Sequence, residues 1–286
     1  MKATKLGSNL GFPEGPVVMP DGSIVFCDGN IGELLRFKDG KITTFARTGG
    51  SPWGAVLGTD GAIYVTQGGW VPGSGDKSAV SGIQRVRKDG TVELLASKMG
   101  GHTLIGPNDL AFGPDGRLWF TDSGSETDFR FDVRSPGRLF ALEASGDGEM
   151  LMERPDVYPN GIAFDGQKRL YWTESAAHRV CRLDGGKVTT FSQLDDGHVP
   201  DGMAFAADGR LFVATTISEG VTVLSADGKV LEEIHLGQHA TNCIFDGSAL
   251  YVTATHTADI HADERTGTFW RVDTDAKGLP LIPGHL

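Results

Sequence analysis

One phrase returns six times along the chain: PEGPVVMPDGSIVFCDG at 13–29, PWGAVLGTDGAIYVTQG at 52–68, PNDLAFGPDGRLWFTDS at 107–123, PNGIAFDGQKRLYWTES at 159–175, PDGMAFAADGRLFVATT at 200–216 and TNCIFDGSALYVTAT at 241–255. A repeated supersecondary unit restricts the architecture more than composition can, because each copy must bury its faces against the next. Aligned on the residue after Pro or its equivalent, the anchors are Glu14, Trp53, Asn108, Asn160, Asp201 and Asn242. The steps between them, 39, 55, 52, 41 and 41 residues, are close to the length of a four-stranded propeller blade.

Each unit also carries a second strand pair, such as GELLRFKDGKITTFA or SGIQRVRKDGTVELLA, in which apolar residues alternate on both sides of an Asp-Gly turn. A helical fold is excluded by that alternation and by glycines every dozen residues or so. A β-sandwich would not need six copies of one pattern. The expected fold is all-β: a six-bladed β-propeller with four antiparallel strands per blade, formed by residues 1–286 as one domain. Blade six shows three strands of its own, at 242–246, 249–255 and 267–273, so residues 2–8 are expected to supply its fourth and close the ring.

In a propeller the innermost strands surround a central channel, so the six anchors should meet at one mouth. Glu14, Asn108, Asn160 and Asp201 bring oxygen donors, including two carboxylates, and no thiolate or imidazole; that is the donor set of a hard divalent ion, Ca²⁺ first, with Zn²⁺, Mg²⁺ and Mn²⁺ as alternatives. Asn242 adds a fifth polar group, and Trp53 suits an apolar wall. An isolated Asn or Asp beside Pro or Gly often does no more than cap a turn. Four that converge with matched chemistry favour ligation.

Three connections from second to third strand are long, at 67–82, 122–137 and 254–267, and should open on the same face as the anchors. They offer Trp70, Glu126, Arg130, Arg134, His256 and His261 as substrate contacts. The formal charge of -11 disfavours nucleic acid and acidic membrane surfaces as partners. No signal peptide or membrane span stands out, so a cytoplasmic protein is expected. Cys27, Cys181 and Cys243 lie far apart in apolar strand-like runs and read as buried free thiols. Nucleophile-elbow, zincin, Walker and dinucleotide motifs do not occur.

The segments Glu14-Gly15-Pro16, Pro107-Asn108-Asp109, Pro159-Asn160-Gly161 and Pro200-Asp201-Gly202 resemble those of the senescence-marker-protein/gluconolactonase family, the regucalcin-like sugar lactonases, over nearly the whole chain. That resemblance implies a six-bladed propeller with one divalent ion in its channel, held by Glu14, Asn160 and Asp201. It implies that Asn108 completes the shell or holds substrate through a water, and that Asp201 also takes the proton from the attacking water. Glu126, eighteen residues after Asn108, matches a family residue that meets a sugar hydroxyl. Gly106 stands where the family often has Arg, a departure that Arg130 or Arg134 could make good. The implied reaction is hydrolysis of a small-molecule aldonolactone to the hydroxy acid. Related propellers with a similar shell hydrolyse organophosphates, which is the alternative activity, and a calcium-binding regulator without turnover is the non-enzymatic one.

Overall fold

The computed structural model describes residues 1–70, 76–124, 136–256 and 265–286. Their strands form six four-stranded antiparallel sheets. Blade 1 is Pro13–Val18, Ile24–Asp28, Glu33–Lys38 and Lys41–Arg47. Blade 2 is Pro52–Leu57, Ile63–Gln67, Gly82–Val86 and Val92–Ala96; blade 3 is Pro107–Phe112, Leu118–Asp122, Gly137–Leu142 and Gly148–Arg154. Blade 4 is Pro159–Phe164, Leu170–Glu174, Arg179–Asp184 and Lys187–Gln193, and blade 5 is Pro200–Phe205, Leu211–Thr215, Gly220–Leu224 and Val230–His235. Blade 6 runs His239–Asp246, Ala249–Thr255 and Gly267–Asp273, and its outer strand is Lys2–Leu10, paired from Lys2↔Asp273 to Leu10↔Gly267. The first strands adjoin one another in a closed ring, the last touching the first, so the fold is a six-bladed β-propeller. Among the described residues the only helical element is the 3-10 turn Ser175–Ala177, and none is a helix long and apolar enough to cross a membrane.

The core is divided as radial packing requires. Each of six apolar clusters lies between consecutive blades: Val25, Leu34 and Val65 between blades 1 and 2, Tyr64, Phe112 and Phe120 between 2 and 3, and Ile162, Leu139 and Trp172 between 3 and 4. Tyr171 with Phe205 joins blades 4 and 5, Phe212 with Leu250 joins 5 and 6, and Phe26 with Phe269 joins 1 and 6. Aromatic pairs sit on these seams, edge-on for Tyr64–Phe112 (5.4 Å) and Phe212–Phe245 (5.0 Å) and stacked for Phe26–Phe269 (4.8 Å). Cys27, Cys181 and Cys243 are buried and free, as expected.

One feature of the backbone recurs in every blade. The first strand slips register by one extra residue at the anchor, between Glu14 and Val17, Pro52 and Ala55, Pro107 and Leu110, Pro159 and Ile162, Pro200 and Met203, and Ala240 and Asn242. Such a bulge twists the strand and re-aims a side chain. Beyond blade 6 the tail crosses the far ends of the first strands. Ala207 N–H donates to Lys277 O (2.7 Å), Leu279 N–H to Phe205 O (2.9 Å) and Thr59 N–H to Gly284 O (2.7 Å), so the segment spans the ring from blade 5 to blade 2.

Candidate functional site

Hydroxyls from neighbouring blades fix where three anchors stand. Thr66 Oγ1 donates to Asn108 O (2.5 Å), Thr121 Oγ1 to Asn160 O (2.6 Å) and Thr173 Oγ1 to Asp201 O (2.9 Å). Close approach is allowed by the residue after the anchor: a Cβ on Gly161 would lie 2.4 Å from Asp201 O, and one on Gly202 would lie 2.1 Å from Asn242 Cγ.

Glu14, Asn160 and Asp201 are all buried. Glu14 Oε2 accepts from its neighbour's Gly15 N–H (3.0 Å). Burial, and then the negative charge of Asp109, push the Glu14 carboxyl up to about 8 against the pull of Gly15 N–H and the Asn242 amide. Asp201 is raised well above the ordinary carboxylate range by burial, then by Glu14 and Asp109, while a hydrogen bond from Asn160 works the other way. The two carboxylates are therefore electrostatic neighbours, and among the described residues neither is paired with Lys, Arg or His. Asn160 donates from Nδ2 to Ser175 Oγ (3.1 Å), and its Oδ1 is buried without a hydrogen-bond partner.

A buried amide oxygen left unsatisfied costs free energy, as do two uncompensated buried carboxylates. A hard dication relieves all three, so the residues fit the cation that the donor chemistry implies. The set is one of mixed carboxylates and amides; among the described residues no three His, Cys, Asp or Glu side chains gather as a metal cluster of their own.

The remaining expected positions are placed differently from one another. Asn108 is half-buried, and its amide acts on the Tyr158 phenol, which also feels the Asp201 charge, so it stands in the same region. Asn242 Oδ1 accepts Cys243 N–H (2.8 Å), which leaves its Nδ2 to donate to Glu14 and Asp109. That amide supports buried carboxylates. Trp53 stands edge-on to Phe12 (5.6 Å), its indole so close to Gly29 and Gly68 that a Cβ on either would lie 2.4 Å from the ring. His256 is exposed just past Ala249–Thr255, and Trp70 is exposed with Lys77 Nζ 5.8 Å from its ring centre. Glu126, Arg130, Arg134 and His261 lie outside the described residues.

Two residues at the site were not singled out from the sequence. Asp109 is buried, with Oδ1 accepting Leu110 N–H (2.9 Å) and Oδ2 accepting Ile162 N–H of the next blade (3.2 Å); burial raises it to about 6. Its signal was a break in the repeat, since it stands where blades 1, 2, 4 and 5 have Gly15, Gly54, Gly161 and Gly202. Tyr158 is buried, and its phenol is raised by burial and then by the Asp201 charge, against the pull of Ser123 and Asn108. Nothing in the phrase around it marks it.

The SMP-30/Gluconolactonase/LRE-like region matches residues 12–256. The chain is 26% identical to a gluconolactonase of Zymomonas mobilis over 289 residues, covering 88% of this chain and 78% of that protein. It is 27% identical to the diisopropyl-fluorophosphatase of Loligo vulgaris over 259 residues, covering 79% and 78%. A solved structure of regucalcin, a calcium-binding protein from Agrobacterium tumefaciens, superposes with a TM-score of 0.80 at 18% identity over 100% of this chain and 98% of that one, which supports the fold. With a match that takes in all six anchors, the chain belongs to the SMP-30/gluconolactonase/LRE-like family.

Proposed function

We propose that the protein is a hydrolase that opens a sugar-type lactone to its hydroxy acid, using one divalent cation held by Glu14, Asn108, Asn160 and Asp201. Ca²⁺ suits an all-oxygen donor set. The observation that carries this is the Asn160 oxygen, buried without a partner beside two buried carboxylates that no described cationic side chain neutralises. Family membership and the likeness to a gluconolactonase support the choice of substrate.

When bound, a hard dication supplies the charge that polarises an acyl carbonyl and eases ionisation of water. The chain does the rest. Asp201 takes a proton from the water that attacks the acyl carbon, and returns it to the ring oxygen as the acyl C–O bond breaks. Burial and the charges of Glu14 and Asp109 raise its proton affinity in the cation-free protein, in keeping with a carboxylate that accepts a proton. Asn160 and Glu14 are held still by Ser175 and by Gly15 N–H, so their oxygens need little rearrangement. Trp53 gives the lactone ring an apolar wall.

The test is acid release from gluconolactone in a pH-stat: turnover should vanish with EDTA and return with Ca²⁺. Lactone that stays closed at every cation tried overturns the proposal. The likeness to diisopropyl-fluorophosphatase favours an organophosphate as the second substrate class, so a phosphotriester is run beside the lactone. Cation binding with turnover of neither would leave a calcium-binding protein without catalysis.

A further inference from the structure

A hydroxyl has one proton and two lone pairs, so a buried serine can give once and still receive. Ser175 does both, and toward different blades. Its proton goes to Pro200 O of blade 5 (2.7 Å), the carbonyl directly before Asp201. With that proton committed, the oxygen can only accept from its other side, and it takes Asn160 Nδ2 of blade 4 at 3.1 Å.

The second contact decides which end of the amide is free. A primary amide has a donor end and an acceptor end, and only the acceptor can face a cation. Because Ser175 accepts, it must hold the nitrogen, and the Asn160 oxygen is the end left buried without a hydrogen-bond partner. Ser175 is 0% exposed, so solvent does not compete for its oxygen.

The serine is itself firmly mounted. Its N–H donates to Tyr158 O (3.0 Å). Glu174, the residue before it, is wholly buried, with Oε1 accepting from Arg154 Nε (2.7 Å) and Trp172 Nε1 (2.9 Å) and Oε2 accepting from Arg179 Nε (2.6 Å). A buried carboxylate with both oxygens engaged by guanidinium groups is costly to displace, so the strand Leu170–Glu174 delivers Ser175 to one place.

Blade 3 offers the comparison. Ser123 stands one residue past the strand Leu118–Asp122, as Ser175 does past its own, and gives its proton to Pro159 O (2.9 Å), the carbonyl before Asn160. The two serines make the same backbone tie to the next blade. Of the two, it is Ser175 that also grips an anchor amide.

We propose that Ser175 is a positioning residue for two ligands of the cation at once: it orients the Asn160 amide so that its oxygen faces the ion, and it holds the chain that carries Asp201. The inference rests on the metal-site reading given above and deepens it.

The test uses EDTA-stripped protein titrated with Ca²⁺ by calorimetry, with thermal melting in EDTA to show that each variant is folded. Ser175→Ala loses the backbone tie and the grip on the amide, and should weaken Ca²⁺ binding about tenfold. Ser123→Ala loses the backbone tie alone, and should weaken it less than about twofold. Equal losses of affinity in the two variants, or unchanged affinity in Ser175→Ala, overturn the proposal and leave the metal site standing. Failure of the unaltered protein to bind Ca²⁺ overturns the metal site and the proposal with it. Should Ser175→Ala not fold, Ser175→Cys carries the test: a thiol is a weak donor and a weak acceptor, so Ca²⁺ binding should weaken in the same way, and unchanged affinity overturns the proposal.

Discussion

Blade 2 and blades 3 to 5 share a backbone and differ in what it presents. In all four the first strand starts at a proline and takes one extra residue at the anchor. The anchors of blades 3, 4 and 5 are Asn108, Asn160 and Asp201, and each has its carbonyl clamped by a threonine of the preceding blade. The anchor of blade 2 is Trp53. There the preceding blade offers Cys27 at the threonine position, and its thiol reaches only Gly54 O, at 3.9 Å. The next position but one tells the same story, for Ser123 holds Pro159 O and Ser175 the Asn160 amide where Gly68 makes room for an indole. Strand geometry is thus common property of the repeat. Chemistry is assigned blade by blade, and the clamp tightens where a donor must stand still.

The contrast is broken most severely at its acidic end. Asp201→Asn keeps a side chain of the same shape in blade 5 and removes the base, so lactone hydrolysis in a pH-stat should fall by about a thousandfold or more while thermal melting shows an intact fold. Near-normal turnover in that variant would remove Asp201 from the chemistry.

A smaller effect separates blade 1 from its neutral neighbours. In the cation-free protein the Glu14 carboxyl is pushed up to about 8 from an ordinary 4.5, so the folded state holds its proton more tightly than the unfolded chain does. Stability contributed by that proton is fully present below the unfolded value and is lost as pH rises through the folded one. Melting temperatures in EDTA should therefore decline between about pH 5 and pH 8, and Glu14→Gln should flatten the part of that slope due to Glu14. Saturating Ca²⁺ should suppress the decline in the unaltered protein. Parallel slopes for the two proteins in EDTA would show that Glu14 is not the group being titrated.

The smallest effect tests the clamps. Thr173→Val deprives Asp201 O of its hydroxyl partner and should cost about 1 kcal/mol in urea unfolding, with a few-fold loss of turnover. Cys27→Val, at the matching place before Trp53, should cost less in both. Equal costs would mean that the clamps serve the fold alone.

Much of this was legible in the residues because a propeller repeats itself. The six copies of the phrase set the number of blades, and the spans expected at 249–255 and 267–273 coincide with the strands Ala249–Thr255 and Gly267–Asp273. The closing strand was found too, running two residues past 2–8, as Lys2–Leu10. What stayed hidden lies between repeats. Tyr158 reaches Asn108 across a blade boundary, fifty residues away in sequence, and no periodic pattern marks such a contact. Asp109 was visible as an acid in a glycine slot, but its adjacency to the anchor Asn108 drew attention to the amide. The tail, from Thr274 onward, has no alternation to mark it, and it is held by backbone hydrogen bonds to strand ends.

That tail alters the traffic through the molecule. Leu279, Pro280, Leu281 and Ile282 line a cavity together with Asp109, Met203 and Asn242, where the tail lies across the far ends of the first strands. If the proposed hydrolysis holds, a ring crossed in this way would work as a cul-de-sac, and product would back out through the same door by which the next molecule enters.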